Sequence, residues 1–167
     1  MSATSSRDGA ECVCGQRGCL TLLAGSAALV ERARAEDASN PNGTLSLIHD
    51  TEGLVDTALA GNEIAQRTIA DAGGWLGIGV ANLLNVVDPG LVVLGGELTR
   101  AGRILTEPIV ETVRERALSM AMAPTQIVTS QLTERGIALG AATRVIDEAF
   151  SRDDLFVPTD DAQSVPS

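Results

Sequence analysis

Apolar positions along this chain follow two patterns, helical spacing and short unbroken runs, and together they predict a sequence of elements. From Asn62 to about Val87, the positions Ile69, Ala72, Leu76, Val80, Leu83, Leu84 and Val87 keep helical spacing. Asn62 caps that helix, and Asp88-Pro89-Gly90 ends it. Leu91-Val92-Val93-Leu94 is a continuous apolar run, which predicts a strand buried on both faces and closed by Gly95-Gly96. A helix over Glu107 to Leu118, capped by Thr106, presents Ile109, Val113 and Ala117 on one side. A second short strand covers Gln126 to Thr129. A last helix, Ile137 to Phe150, is expected to bury Ala138, Ala142, Val145, Ile146 and Ala149. Upstream, Leu20, Leu22 and Leu23 form an apolar turn that Gly25 breaks. Ser26 caps a helix from Ala27 to about Ala35, Glu36 to Thr44 reads as a loop, and Thr51 caps a helix to Ala60 that Gly61 ends.

Strand, helix, strand, helix is an α/β pattern with parallel strands. Two strands are too few for a free-standing sheet, so the chain reads as part of a lobe. The longest helix carries Gly73, Gly74, Gly77 and Gly79 in its interior, where each glycine costs about 1 kcal/mol relative to alanine. That cost predicts close approach of another backbone, or of a ligand, on the glycine face.

The 167 residues suggest one domain or one lobe of a larger protein. Trp75, Phe150 and Phe156 are the whole aromatic set, so Ala, Val, Leu and Ile must build the core. The net charge is −10, carried against twelve arginines and no lysine, a balance that repels nucleic acid and anionic membranes. No apolar run reaches the length of a bilayer span and no signal peptide opens the chain. An odd number of closely spaced cysteines argues against a disulfide framework, and a reducing cytoplasm is the expected location. Met1 to Glu11 and the segment from Ser151 to Ser167 are expected to be disordered, leaving 12–150 as the folded part.

Three stretches carry chemistry. Cys12-Val13-Cys14-Gly15-Gln16-Arg17-Gly18-Cys19 places all three thiols within eight residues, with glycines that allow a tight bend. The spacing suits a zinc knuckle with three of the four ligands zinc prefers, but free thiols in a glycine turn fit it equally. The single histidine, His49, either folds back to complete the set or is a surface loop residue. Gly95-Gly96 leaves exposed amides at the carboxyl end of a strand, where α/β sheets bind ligands; a tight turn is the plainer reading. Glu97 beside it is a ligand contact or, more commonly, a solvated carboxylate.

Taken together, these stretches resemble the ROK family (repressors, open reading frames and kinases) of the sugar-kinase/actin-like superfamily. Cys12 to Cys19 resembles its Cys-x-Cys-Gly-x-x-Gly-Cys zinc signature. Gly77-Ile78-Gly79-Val80-Ala81-Asn82-Leu83-Leu84-Asn85-Val86-Val87-Asp88-Pro89 followed by Val92-Val93-Leu94-Gly95-Gly96 resembles its second signature. Gly136 through Ala142 resembles its terminal Gly-Ala-Ala helix. The resemblance implies an incomplete C-terminal lobe of the actin-like, ribonuclease H-like fold, helix-rich with two short parallel strands. It implies zinc on Cys12, Cys14 and Cys19, with the family's fourth ligand a histidine upstream of the first cysteine, where this chain has none. Gly95 and Gly96 would sit in the family's nucleotide cleft. Thr21 occupies the place of a glutamate that contacts sugar. The implied function is the C-terminal portion of a sugar-responsive transcriptional regulator. The alternatives are the same portion of an ATP-dependent sugar kinase, or an inactive truncated fragment. The implied partners are a sugar ligand, DNA only through a separate N-terminal domain, and a further copy of the chain in a homo-oligomer.

Overall fold

The computed structural model describes residues 9–40, 43–118, 125–130, 132 and 135–151. The expectations of disorder at both ends fall mainly outside those residues; Glu11, inside them, already pairs with Arg17 in an antiparallel bridge. The chain divides into a first unit up to Thr133 and a second from Glu134.

The first unit is organised around a 25-residue helix. In chain order it holds α1 (Leu20–Ala24), α2 (Ser26–Asp37), a 3-10 turn at Leu45–Leu47, α3 (Thr51–Leu59), α4 (Glu63–Val87) and β1 (Leu91–Leu94). A 3-10 turn at Glu97–Ala101, α5 (Arg103–Arg116) and β2 (Gln126–Thr129) follow. Helices α1, α2, α3 and α5 all pack on α4. Its N-cap is Asn62, whose side chain accepts from the Ala65 amide at 3.0 Å. At its other end Asp88 takes a left-handed conformation with φ 48°, which turns the chain into β1. Ile69, Leu84, Leu105, Ile109 and Val113 are buried between α4 and α5, with Leu29, Leu54 and Val55 added from α2 and α3. Each such side chain contributes about 1.5–3 kcal/mol by leaving water.

Two of the four helical glycines are explained by α5. A Cβ on Gly73 would lie 2.6 Å from the Leu105 carbonyl oxygen. One on Gly77 would lie 2.6 Å from Thr112 Cβ and 2.9 Å from the Ile109 carbonyl oxygen. The two helices therefore meet backbone to backbone. Asn85 fastens the far end of the pair: its side chain accepts from the Leu118 amide at 2.9 Å and donates to the Arg116 carbonyl at 3.3 Å. A Cβ on Gly74 would meet only Thr112 Oγ1, at 3.9 Å, so contact with α5 does not account for that glycine.

Helix α5 begins at Arg103, before the predicted Glu107, and Thr106 lies inside it rather than capping it. Pro108 stands inside the helix, and Gly102, at φ 58°, turns the preceding 3-10 segment into it. Two other caps also differ. Asp50 rather than Thr51 caps α3, through the Gly53 amide at 2.9 Å, and α2 begins at Ser26 with no side-chain cap.

β1 and β2 pair in parallel with Leu91 opposite Gln126 and Leu94 opposite Thr129. Among the described residues they form a sheet of two strands. β1 is not buried on both faces as its run of apolar residues predicted. Val92, Leu94 and Ile127 lean on the core, while Leu91, Val93 and Val128 are exposed on the other side. An unbroken apolar run cannot say what covers its second face. Among the described residues the second unit holds α6 (Arg135–Ser151), in which Ala138, Ala142, Val145 and Ile146 are exposed rather than buried and Ala149 is half-buried.

Candidate functional site

The cysteine stretch folds into a tight hairpin. The Cys12 amide donates to the Gln16 carbonyl at 2.8 Å, the Gly15 amide to Cys12 at 2.9 Å, and the Gly18 amide to Ala10 at 3.0 Å. Gly15 and Gly18 hold φ of 81° and 66°, which side chains rarely tolerate, so these two glycines make the bend possible. Arg17 braces the hairpin by pairing with Glu11. All three sulfurs lie within 4.8 Å of one another. Cys14 and Cys19 Sγ are 3.3 Å apart, far beyond the about 2.05 Å of a disulfide. Thiolates around a tetrahedral zinc at about 2.3 Å would stand about 3.8 Å from each other, so the spread of these sulfurs suits that ion. Among the described residues no histidine, aspartate or glutamate joins the three. His49 does not fold back: its Nδ1 sits 2.7 Å from Arg34 Nη2, and because a guanidinium only donates, Nδ1 is the acceptor.

Cys19 is both the last thiol and the N-cap residue of α1, and it is buried. Thr21 follows on α1 with its side chain exposed. The other end of α1 reaches a second feature. Ala24 and Ser26 line a cavity of about 330 Å³ at the carboxyl end of β1, together with Gly95, Gly96 and Glu97. Leu76 from α4 and Leu105 and Ile109 from α5 form its apolar wall. Thr21 is not among the residues that line it. Gly96 has φ 105°, and a Cβ built there would meet nothing within 4 Å, so the strand end is open to an approaching molecule. Arg32 secures this corner by donating from α2 to the Leu23 carbonyl at 3.4 Å and to the Thr68 carbonyl of α4 at 3.1 Å.

Glu97 is more than the solvated carboxylate that sequence favours, since its side chain is only 18% exposed. Arg100 donates to it at 2.5 Å and to Asp56 of α3 at 2.8 Å, and lies 3.5 Å from Glu52. The bond to Glu97 raises Arg100 above its ordinary value, against partial desolvation and with help from the Asp56 charge, so the guanidinium stays charged. The i, i+3 spacing of Glu97 and Arg100 on a helical turn is the one sequence signal that could have found this pair.

The sequence profile of the ROK family matches residues 3–148, and the chain belongs to that family. It is 27% identical over 146 residues to the xylose repressor of Caldicellulosiruptor bescii, covering 84% of this chain and 36% of the repressor. It is 31% identical over 148 residues to the glucokinase of Thermotoga maritima, covering 81% of this chain and 45% of that enzyme. Among solved structures it superposes on a ROK family glucokinase from Streptomyces griseus in complex with glucose and AMPPNP. The TM-score is 0.71 at 25% identity, covering 83% of this chain and 48% of that one. The fold is thus the actin-like fold of the ROK sugar kinases, helix-rich with two short parallel strands. The chain spans between about a third and a half of the length of these relatives. Among the described residues no helix is long and apolar enough to cross a membrane.

Proposed function

We propose that this chain is the C-terminal portion of a ROK sugar-responsive transcriptional regulator. In this reading the whole protein contacts DNA through another part, and this portion supplies a zinc-braced ligand-sensing lobe and the contact between copies. One observation carries the reading: a single short helix, α1, runs from the three converging thiols to the wall of the cavity at the end of β1. Cys12, Cys14 and Cys19 would hold the zinc. Bound, the ion would supply a structural crosslink that fixes the start of α1. Thr21 would offer a hydroxyl toward sugar from the exposed side of that helix. The xylose repressor among the relatives supports the regulator class.

The test uses the full-length protein encoded by the gene. It should retard the DNA upstream of its own gene, and one pentose or hexose should release that DNA. Absence of DNA binding under all conditions sinks the reading. Metal analysis of the same protein should give one zinc per chain, falling below about 0.1 in Cys19→Ser.

A second reading is favoured by the glucokinase from Thermotoga maritima, at 31% identity, and by the neighbour bound to glucose and AMPPNP. Here the whole protein is an ATP-dependent sugar kinase, and Gly95 and Gly96 hold the nucleotide. Release of ADP on incubation with hexoses and ATP would establish it, and its absence would leave the regulator.

A further inference from the structure

The cavity at the end of β1 has a lopsided chemistry. Its wall is apolar, its floor is the Gly95–Gly96 backbone, and among the described residues that line it only Glu97 is ionisable. The cation that pairs with Glu97 is shared with other carboxylates. Arg100 Nη1 serves Glu97 and Glu52, and Nη2 serves Asp56. Three carboxylates against one guanidinium leave that cluster negative beside the cavity. No lysine exists anywhere in the chain to offset it. A polyphosphate is held best by cations turned toward it, and none of the described residues that line this cavity is a cation. A carboxylate among apolar side chains instead accepts hydrogen bonds from hydroxyl or amine groups and repels like charge strongly, because little water screens it. The backbone holds Glu97 in this place. The Gly96 carbonyl accepts from both the Thr99 amide at 3.1 Å and Thr99 Oγ1 at 2.7 Å, closing the turn on which Glu97 stands.

We infer that Glu97 sets what this cavity accepts: an uncharged ligand that donates a hydroxyl or amine hydrogen to the carboxylate, and not a polyphosphate. The inference rests on the reading that this cavity is a ligand site, and it turns the balance toward regulator and away from kinase.

The experiment compares two probes that differ only in phosphate, adenosine and ADP, by titration calorimetry at low ionic strength on the full-length protein encoded by the gene and two variants of it. Glu97→Gln keeps the size and the hydrogen-bonding capacity and removes the charge. Glu52→Gln removes the same charge from the Arg100 cluster but does not line the cavity, and melting curves of both variants verify the fold. Adenosine is expected to bind the unmodified protein at least tenfold more tightly than ADP. Glu97→Gln should bring the two probes within threefold, and Glu52→Gln should leave the preference within threefold of its original value. Equal binding of adenosine and ADP by the unmodified protein overturns the role of Glu97 while leaving the cavity a ligand site. A preference that Glu97→Gln does not move, or that Glu52→Gln abolishes equally, also overturns it. Failure of both probes on every form overturns the cavity reading as well.

Discussion

The helix pair α4–α5 and the strand pair β1–β2 each present an apolar face to the core, yet they are finished to different degrees. Between the helices, Gly73 and Gly77 let backbones touch, and Ile109 and Val113 are fully buried. Across the strands, one face leans on the core while Leu91 and Val93 remain about half exposed, at 53% and 55%. A packed interface fixes its residues through what they would strike. An open face leaves its residues nearly free of constraint. Side-chain replacements should therefore separate the two regions by sign and by size.

The largest effect is expected for Ile109→Ala, which empties a fully buried position between α4 and α5 and should cost about 2–5 kcal/mol in urea denaturation. Next come the neighbouring glycines, which should respond in opposite directions. Gly77→Ala pushes a methyl group against Thr112 Cβ and the Ile109 carbonyl; the crowding outweighs the gain in helix propensity and leaves a net loss of about 2 kcal/mol. Gly74→Ala meets nothing closer than 3.9 Å and should stabilise by up to about 1 kcal/mol. If both substitutions destabilise equally, close helix contact is not the reason for these glycines. Asn62→Ala removes the cap of α4 and should cost about 1 kcal/mol, seen as a lower urea midpoint. Val93→Thr, on the open strand face, should change stability by less than about 0.5 kcal/mol. A loss above 2 kcal/mol there would mean that this face is covered in solution.

Much of this was legible in the residues because it is written locally. Asn62 as cap, the helix end at Val87, both strands and the glycine bend at the cysteines each depend on neighbours a few positions away. What escaped depended on partners distant in the chain. The start of α5 was misplaced because Thr106 is a competent cap residue, whereas the helix starts earlier, after Gly102, and holds both Thr106 and Pro108 inside it. The second face of β1 was assigned to the interior on composition alone. Asp50 and Thr51 are both competent caps, and only the backbone decided between them. At the candidate site, the meeting of the three sulfurs followed from spacing. The cavity wall did not, since it gathers Ala24, Leu76, Glu97 and Ile109 from four separate stretches.

The backbone contact between α4 and α5 has a mechanical consequence for the cavity. Leu76 enters it from one helix and Leu105 and Ile109 from the other. Where Gly73 and Gly77 lie against the Leu105 and Ile109 carbonyls, backbone meets backbone and there is little soft material to absorb a displacement. A molecule pressing on that wall would shift both rods together, and Asn85 would carry the movement to the turn beyond Arg116.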